Sequence, residues 1–154
     1  MITEQEKQLL LKDLCGRLSY GVKGEVETTD GNGKEIKDEG VLNSVFISDY
    51  GTAYICIEGM EYELDDFKPY LLPMSNMTEK EYETFPIPFS FDSFSTWNNT
   101  ILSKVIEGTQ ILIGIDEITE IIDWLNAHHF DYHGLIEKGL AIEAPEGMYK
   151  SKTE

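Results

Sequence analysis

Apolar positions near the start of the chain recur at three- and four-residue spacing. Leu10, Leu11, Leu14, Cys15 and Leu18 form one stripe, the pattern of an amphipathic helix with one face turned to a core. Thr3 and Glu6 stand at capping-box spacing, where hydroxyl and carboxylate each satisfy a free backbone donor of the first turn, so the helix is predicted to begin there. Gly16 and Gly21 weaken its far end, which should fall near Arg17.

From Tyr20 the period changes to short β-rich runs. Strands are predicted over 22–28, 40–48, 52–58 and, briefly, 62–64. Asp30-Gly31-Asn32-Gly33 and Asp49-Tyr50-Gly51 supply the residues that tolerate positive φ in hairpin turns. The expected product is an antiparallel meander or a small SH3-like barrel packed on the first helix. Residues 65–74, bounded by Pro69 and Pro73, read as a short helical turn. Thr78 and Glu81 repeat the capping-box spacing and open a polar helix, a candidate hinge. The segment 85–94 alternates, but its prolines demote it to an edge strand or extended loop, and 101–113 suits a helix or a buried strand.

Beyond Gly114, Asp116, Glu117 and Glu120 place negative charge at a helix N-terminus, and Ile118, Ile121, Ile122 and Leu125 make its buried stripe. Asp131 is placed to cap a second, shorter helix that stops at Gly139, after which 140–142 reads as a buried extended segment. The fold class is therefore α+β: an N-terminal helix, the meander or barrel, then C-terminal helices packed on the sheet. Residues 1–149 form a single domain, with 1–74 and 75–149 as candidate halves, and 150–154 should fray.

Composition changes this picture mainly through charge. The 154 residues carry 29 acidic and 12 basic side chains, a formal net charge of −17. That field repels phosphate backbones and argues against direct nucleic-acid binding. From Asp38 to Phe67 there are eight acids and no Lys or Arg. From Val105 to Glu137 there are seven acids and again no Lys or Arg. Such runs serve solubility, or present an anionic face to a basic protein partner. No signal peptide or membrane-length apolar run occurs, so the chain reads as cytoplasmic with no membrane contact. Cys15 and Cys56 read as reduced and buried.

The segment WLNAHHFDYHGLIEKGLAIEAPEGMY, with LCGRLSYGVKGEV and DDFKPYLLPMSNMTEKE upstream in the same order, resembles the recurring blocks of a group of small uncharacterised proteins encoded by gut bacteria and their phages or mobile elements. These blocks cover about two-fifths of the chain. The resemblance implies cytoplasmic expression, a mobile-element context and no assigned activity. His133 departs from the pattern, which more often has arginine there, and this counts against any site built on three histidines.

His128, His129, Asp131 and His133 are metal-capable groups within six residues. Adjacent histidines diverge on a helix and no H-E-x-x-H motif is present, so dipole-favoured and packing roles come first, with His129 and His133 as weak ligand candidates. Residues 28–39 approach a calcium loop but lack the first carboxylate and are flanked by strands. No nucleophile elbow, Walker loop or dinucleotide glycine pattern occurs. No catalytic residue and no cofactor is expected.

A binding surface is drawn instead from Tyr54, Tyr62, Asp65, Asp66, Tyr70, Trp124, His128 and Asp131. The leading expectation is a non-enzymatic acidic binding or regulatory module. The alternatives are a nucleic-acid-mimicking inhibitor of a host defence or regulatory protein, and a metal-dependent hydrolase centred on residues 128–133.

Overall fold

The computed structural model describes residues 2–84 and 115–149. Its α+β architecture is that expected: a helix, a six-stranded and mostly antiparallel sheet, and a C-terminal helix. The expectations for 85–94, 101–113 and the tail at 150–154 lie outside the described residues.

Helix α1 runs Glu4–Arg17 and opens with the Thr3–Glu6 capping box. Strands β1 (Lys23–Thr29), β2 (Glu35–Ile47), β3 (Ala53–Ile57) and β4 (Met60–Glu63) follow as a meander. The β3–β4 link is two residues, Glu58 at φ 48° and Gly59 at φ 84°, so both central positions are left-handed, as the tightest hairpin turn requires. A 3₁₀ turn, Leu64–Asp66, then leads into β5, Phe67–Leu71. Another 3₁₀ turn over Met74–Asn76 precedes α2, Glu79–Tyr82, which carries the expected Thr78–Glu81 capping box.

With the short strand β6, Ile142–Glu143, at the far edge, the order β4-β3-β2-β1-β5-β6 places β4 and β5 four steps apart. In a flat sheet those steps would span about 19 Å. The 3₁₀ turn joining the two strands advances only about 2 Å per residue. The sheet therefore has to curl until its ends approach, as in a small SH3-like barrel. Two local features serve the curl. The β2–β3 register shifts between Leu42 and Ser44, and Asn43 there accepts the Glu58 N–H at 2.7 Å. Tyr62 on β4 reaches past β3 to donate its hydroxyl proton to Asp38 on β2 at 2.8 Å. A bulge of this kind bends and twists the strand that carries it.

Residues 65–74 correct the sequence reading, for a strand occupies most of the stretch assigned to a helical turn. Gly24 lies opposite Pro69 and Val26 opposite Phe67, which docks β5 on β1. Pro69 precedes the part of β5 that pairs with β6, Ile142–Glu143, so its missing N–H interrupts no ladder on that side.

The core joins Leu10 and Leu14 of α1 to Val26, Leu42, Ile55, Ile57 and Phe67 of the inner sheet face. Gly24 makes that packing possible, since a Cβ there would meet the Phe67 ring at 2.3 Å and the Lys68 carbonyl oxygen at 2.7 Å. Because one obstacle is backbone, Gly24→Ala is expected to cost about 1–3 kcal/mol in urea unfolding. A midpoint equal to the parent's would contradict this packing.

Helix α3, Ile115–Ala127, ends in a paired-bond stop. The His129 N–H donates to the Asn126 carbonyl at 3.2 Å and the Phe130 N–H to that of Leu125 at 3.0 Å, with His129 at φ 63°. This is the Schellman geometry, with histidine where glycine is usual. From there the chain returns to the sheet. Leu72 N–H donates to the His129 carbonyl and Asp131 N–H to that of Leu72, each at 2.8 Å, before β6 pairs parallel to β5. The predicted second C-terminal helix is a series of turns, broken where Gly134 and Gly139 adopt φ of 71° and 75°. Cys15 is exposed and Cys56 half-buried, not the buried pair expected.

Candidate functional site

Two places concentrate chemistry: a polar junction where α1 meets the C-terminal segment, and the outer face of the sheet around the β2–β3 hairpin.

Asp13 and Arg17 lie one helical turn apart on α1, on the face that carries Leu10 and Leu14, and both are fully buried. Arg17 Nε donates to Asp13 Oδ1 at 2.6 Å and Nη2 to Oδ2 at 3.1 Å, while Nη2 also donates to the Phe130 carbonyl at 2.6 Å. His133 Nδ1 lies 2.7 Å from Asp13 Oδ2. Burial opposes ionisation of Asp13, but the His133 hydrogen bond and the Arg17 charge outweigh it and hold the carboxyl below its ordinary range. Tyr132 lies over the Arg17 guanidinium at 5.1 Å and donates its hydroxyl proton to Asn126 Oδ1 at 2.8 Å. Asn126 in turn faces α1 at Gly16, where a Cβ would stand 3.1 Å from its side-chain nitrogen.

The sequence reading missed Asp13, Arg17 and Asn126. The available signal was the four-residue spacing of an acid and a base in phase with Leu10 and Leu14. A charged pair on a buried stripe must be mutually satisfied or it does not fold.

The three histidines are held apart by different partners. His128 Nδ1 donates to the Trp124 carbonyl at 2.8 Å, and its ring stacks on Trp124 with centroids 3.9 Å apart. His129 stacks on Tyr149 at 3.7 Å and is 8% exposed, with no hydrogen-bond partner at Nδ1 among the described residues. Its pKa is pushed down to about 4, first by burial and then by the positive charge of Arg17. His133 belongs to Asp13. Among the described residues no three His, Cys, Asp or Glu side chains converge to hold a metal ion. The Asp13–His133 pair resembles half of a proton relay, but no hydroxyl or thiol among the described residues hydrogen-bonds the far side of the ring. Nucleophilic catalysis needs that third group.

The remaining polar groups here are spent on chain geometry. Asp131, 3% exposed, accepts the Leu135 and Ile136 N–H groups at 2.8 and 2.9 Å. Tyr149 donates its hydroxyl proton to the Tyr70 carbonyl at 2.8 Å and accepts the Lys23 N–H at 2.9 Å, which ties the C-terminal segment to β1 and β5. Burial raises its pKa to about 12.

The other residues of the expected binding surface do not form one patch. Tyr62 points inward to Asp38, and Asp65 pairs with Lys7 at 3.4 Å, beside half-buried Asp66. Tyr70 is 7% exposed, its hydroxyl 2.9 Å from Glu25 and 3.1 Å from Glu39, and burial with these two carboxylates raises its pKa. Trp124 stacks between His128 and Phe130 and donates to the Thr84 hydroxyl at 3.1 Å. Tyr54 lies on the outer sheet face near the β2–β3 hairpin. Its ring stacks on Phe46 at 5.4 Å, and the same hairpin carries Ile47 at 59% and Tyr50 at 97% exposure. Glu63 stands directly across from Tyr54 on β4.

No family model, curated protein or solved structure matches the chain. Among the described residues no helix is long and apolar enough to cross a membrane.

Proposed function

We propose that this chain is a protein-binding module without a reaction centre of its own, and that it meets its partner at the β2–β3 hairpin. One observation carries the reading. Phe46, Ile47 and Tyr50 are left in solvent at one end of a sheet whose inner residues Val26, Leu42, Ile55, Ile57 and Phe67 are buried in the core. Exposed aromatic and aliphatic side chains beside carboxylates are the composition of an interface centre with a polar rim. The buried polar groups of the helical junction support the same reading, since Arg17, His133 and Tyr149 each tie distant chain segments together.

A photo-crosslinking residue at position 50, compared with one at exposed Glu79, tests it in cells that express the chain. A discrete crosslinked protein from position 50 and none from position 79 is the expected result. Equal crosslinking from both, or none from either, would remove the hairpin as the contact surface.

A further inference from the structure

Strand β4 is the first strand of the sheet, and no described residue pairs with its outer side. The phase of its backbone follows from the hairpin. Ile57 and Met60 close a two-residue turn, and such a closing pair exchanges both of its hydrogen bonds. Tyr62 and Ile55, two residues on, repeat that pairing. The alternate residues, Glu61 and Glu63, therefore turn their N–H and C=O groups away from β3, toward the open edge. Their side chains share the outer sheet face with Cys56 and Tyr54, and both are exposed.

From this edge we infer that β4 accepts an extended, basic segment of the partner as an additional antiparallel strand, with Lys or Arg at alternate positions against Glu61 and Glu63. Strand addition of this kind draws affinity from main-chain bonds and specificity from alternate side chains. Charge selects the occupant. A second copy of this chain would set Glu61 and Glu63 against like charges on a surface of net charge −17, which directly opposed strand positions disfavour. Carboxylates on a short edge strand likewise reject apolar strands, which guards the edge against aggregation. A cationic strand is the occupant that both the ladder and the side chains accept. The inference rests on the protein-binding reading and narrows it to one class of partner segment. It extends the contact from the hairpin to the adjoining edge.

The test is an amide-resolved NMR titration of the full chain with acetyl-Thr-Lys-Val-Lys-Thr-Lys-amide. Expected are shifts centred on residues 60–63, slowed solvent exchange of the Glu61 and Glu63 N–H groups, and weakening as salt is raised. Glu61→Pro removes one outward donor at a position where an edge strand tolerates proline. With an unchanged circular dichroism spectrum, that variant should lose the protection at position 63. The double variant Glu61→Gln, Glu63→Gln should bind about threefold to tenfold more weakly and keep the protection. Shifts confined to other elements, no binding at millimolar peptide, or equal binding of a peptide with glutamates in place of lysines would each overturn the inference. Crosslinking from position 50 is independent of these outcomes. The broader reading therefore stands if only the strand addition fails, and falls only with its own test.

Discussion

Asp13→Ala is expected to destabilise the protein by about 3–5 kcal/mol, the usual cost of leaving a buried charge without its partner. For a chain of this length that corresponds to a fall in melting temperature on the order of 10 °C. The reason is specific. Arg17 is fully buried and directs two of its donors to Asp13, while its Nη1 has no hydrogen-bond partner among the described residues. Removing the carboxylate strands the guanidinium between α1 and the C-terminal segment and releases His133. A double variant, Asp13→Leu with Arg17→Met, should cost less than Asp13→Ala alone. It removes the pair together, although the Phe130 carbonyl then loses its donor. Additive losses in urea unfolding of the two single variants and the double would show that the pair is not coupled.

The second large effect is an acid limb in stability between about pH 6.5 and pH 4. His129 titrates near 6.5 when unfolded, while in the fold burial and the Arg17 charge push it down to about 4. Within that window the unfolded chain binds the proton and the folded chain does not. Stability is therefore fully present above pH 6.5, falls as pH is lowered, and levels off below about 4. The full loss is about 3 kcal/mol from this one ring. Asp13 acts lower down. Its carboxyl is held below the ordinary range, so its contribution persists through that window and is lost only as pH falls further. Asparagine tolerates the left-handed backbone of position 129 and does not titrate. His129→Asn should therefore flatten the melting temperature between pH 6.5 and 4, at the cost of the stack on Tyr149. An unchanged slope would place the titration elsewhere.

Much of the fold could be read from the chain because its signals are local. Both capping boxes form as the Thr–x–x–Glu spacing indicates, and the Asp30–Gly33 and Asp49–Gly51 turns separate the strands expected. What was lost is the information carried by tertiary partners. Residues 65–74 read as a helical turn because two prolines and an acidic pair lie close together, yet pairing of Phe67 and Pro69 with β1 makes a strand. The α1 stripe was legible only in its apolar members. Leu10 and Leu14 are buried and Leu11 and Leu18 pack against the core, but Cys15 is exposed, and the helix buries Asp13 and Arg17 as well. A hydrophobic pattern has no place for an ion pair whose third partner, Phe130, is 113 residues away. The same limit applies to the histidines. Their crowding in sequence suggested a shared site, but a left-handed residue at position 129 turns the chain between them. Tyr54 was legible as an aromatic on an alternating strand, whereas the exposed Phe46, Ile47 and Tyr50 of the same hairpin were passed over, since exposure is not written in composition.

Backbone hydrogen exchange at Leu135 and Ile136, whose N–H groups end on the Asp131 carboxylate, tests most directly whether the polar junction is a structural clasp. If it is, both amides open only with global unfolding, at the same free energy as Leu14 in α1 and Ile55 in β3. Exchange at those two positions while Leu14 and Ile55 stay protected would mean that the junction opens by itself. The buried charges would then belong to a mobile site.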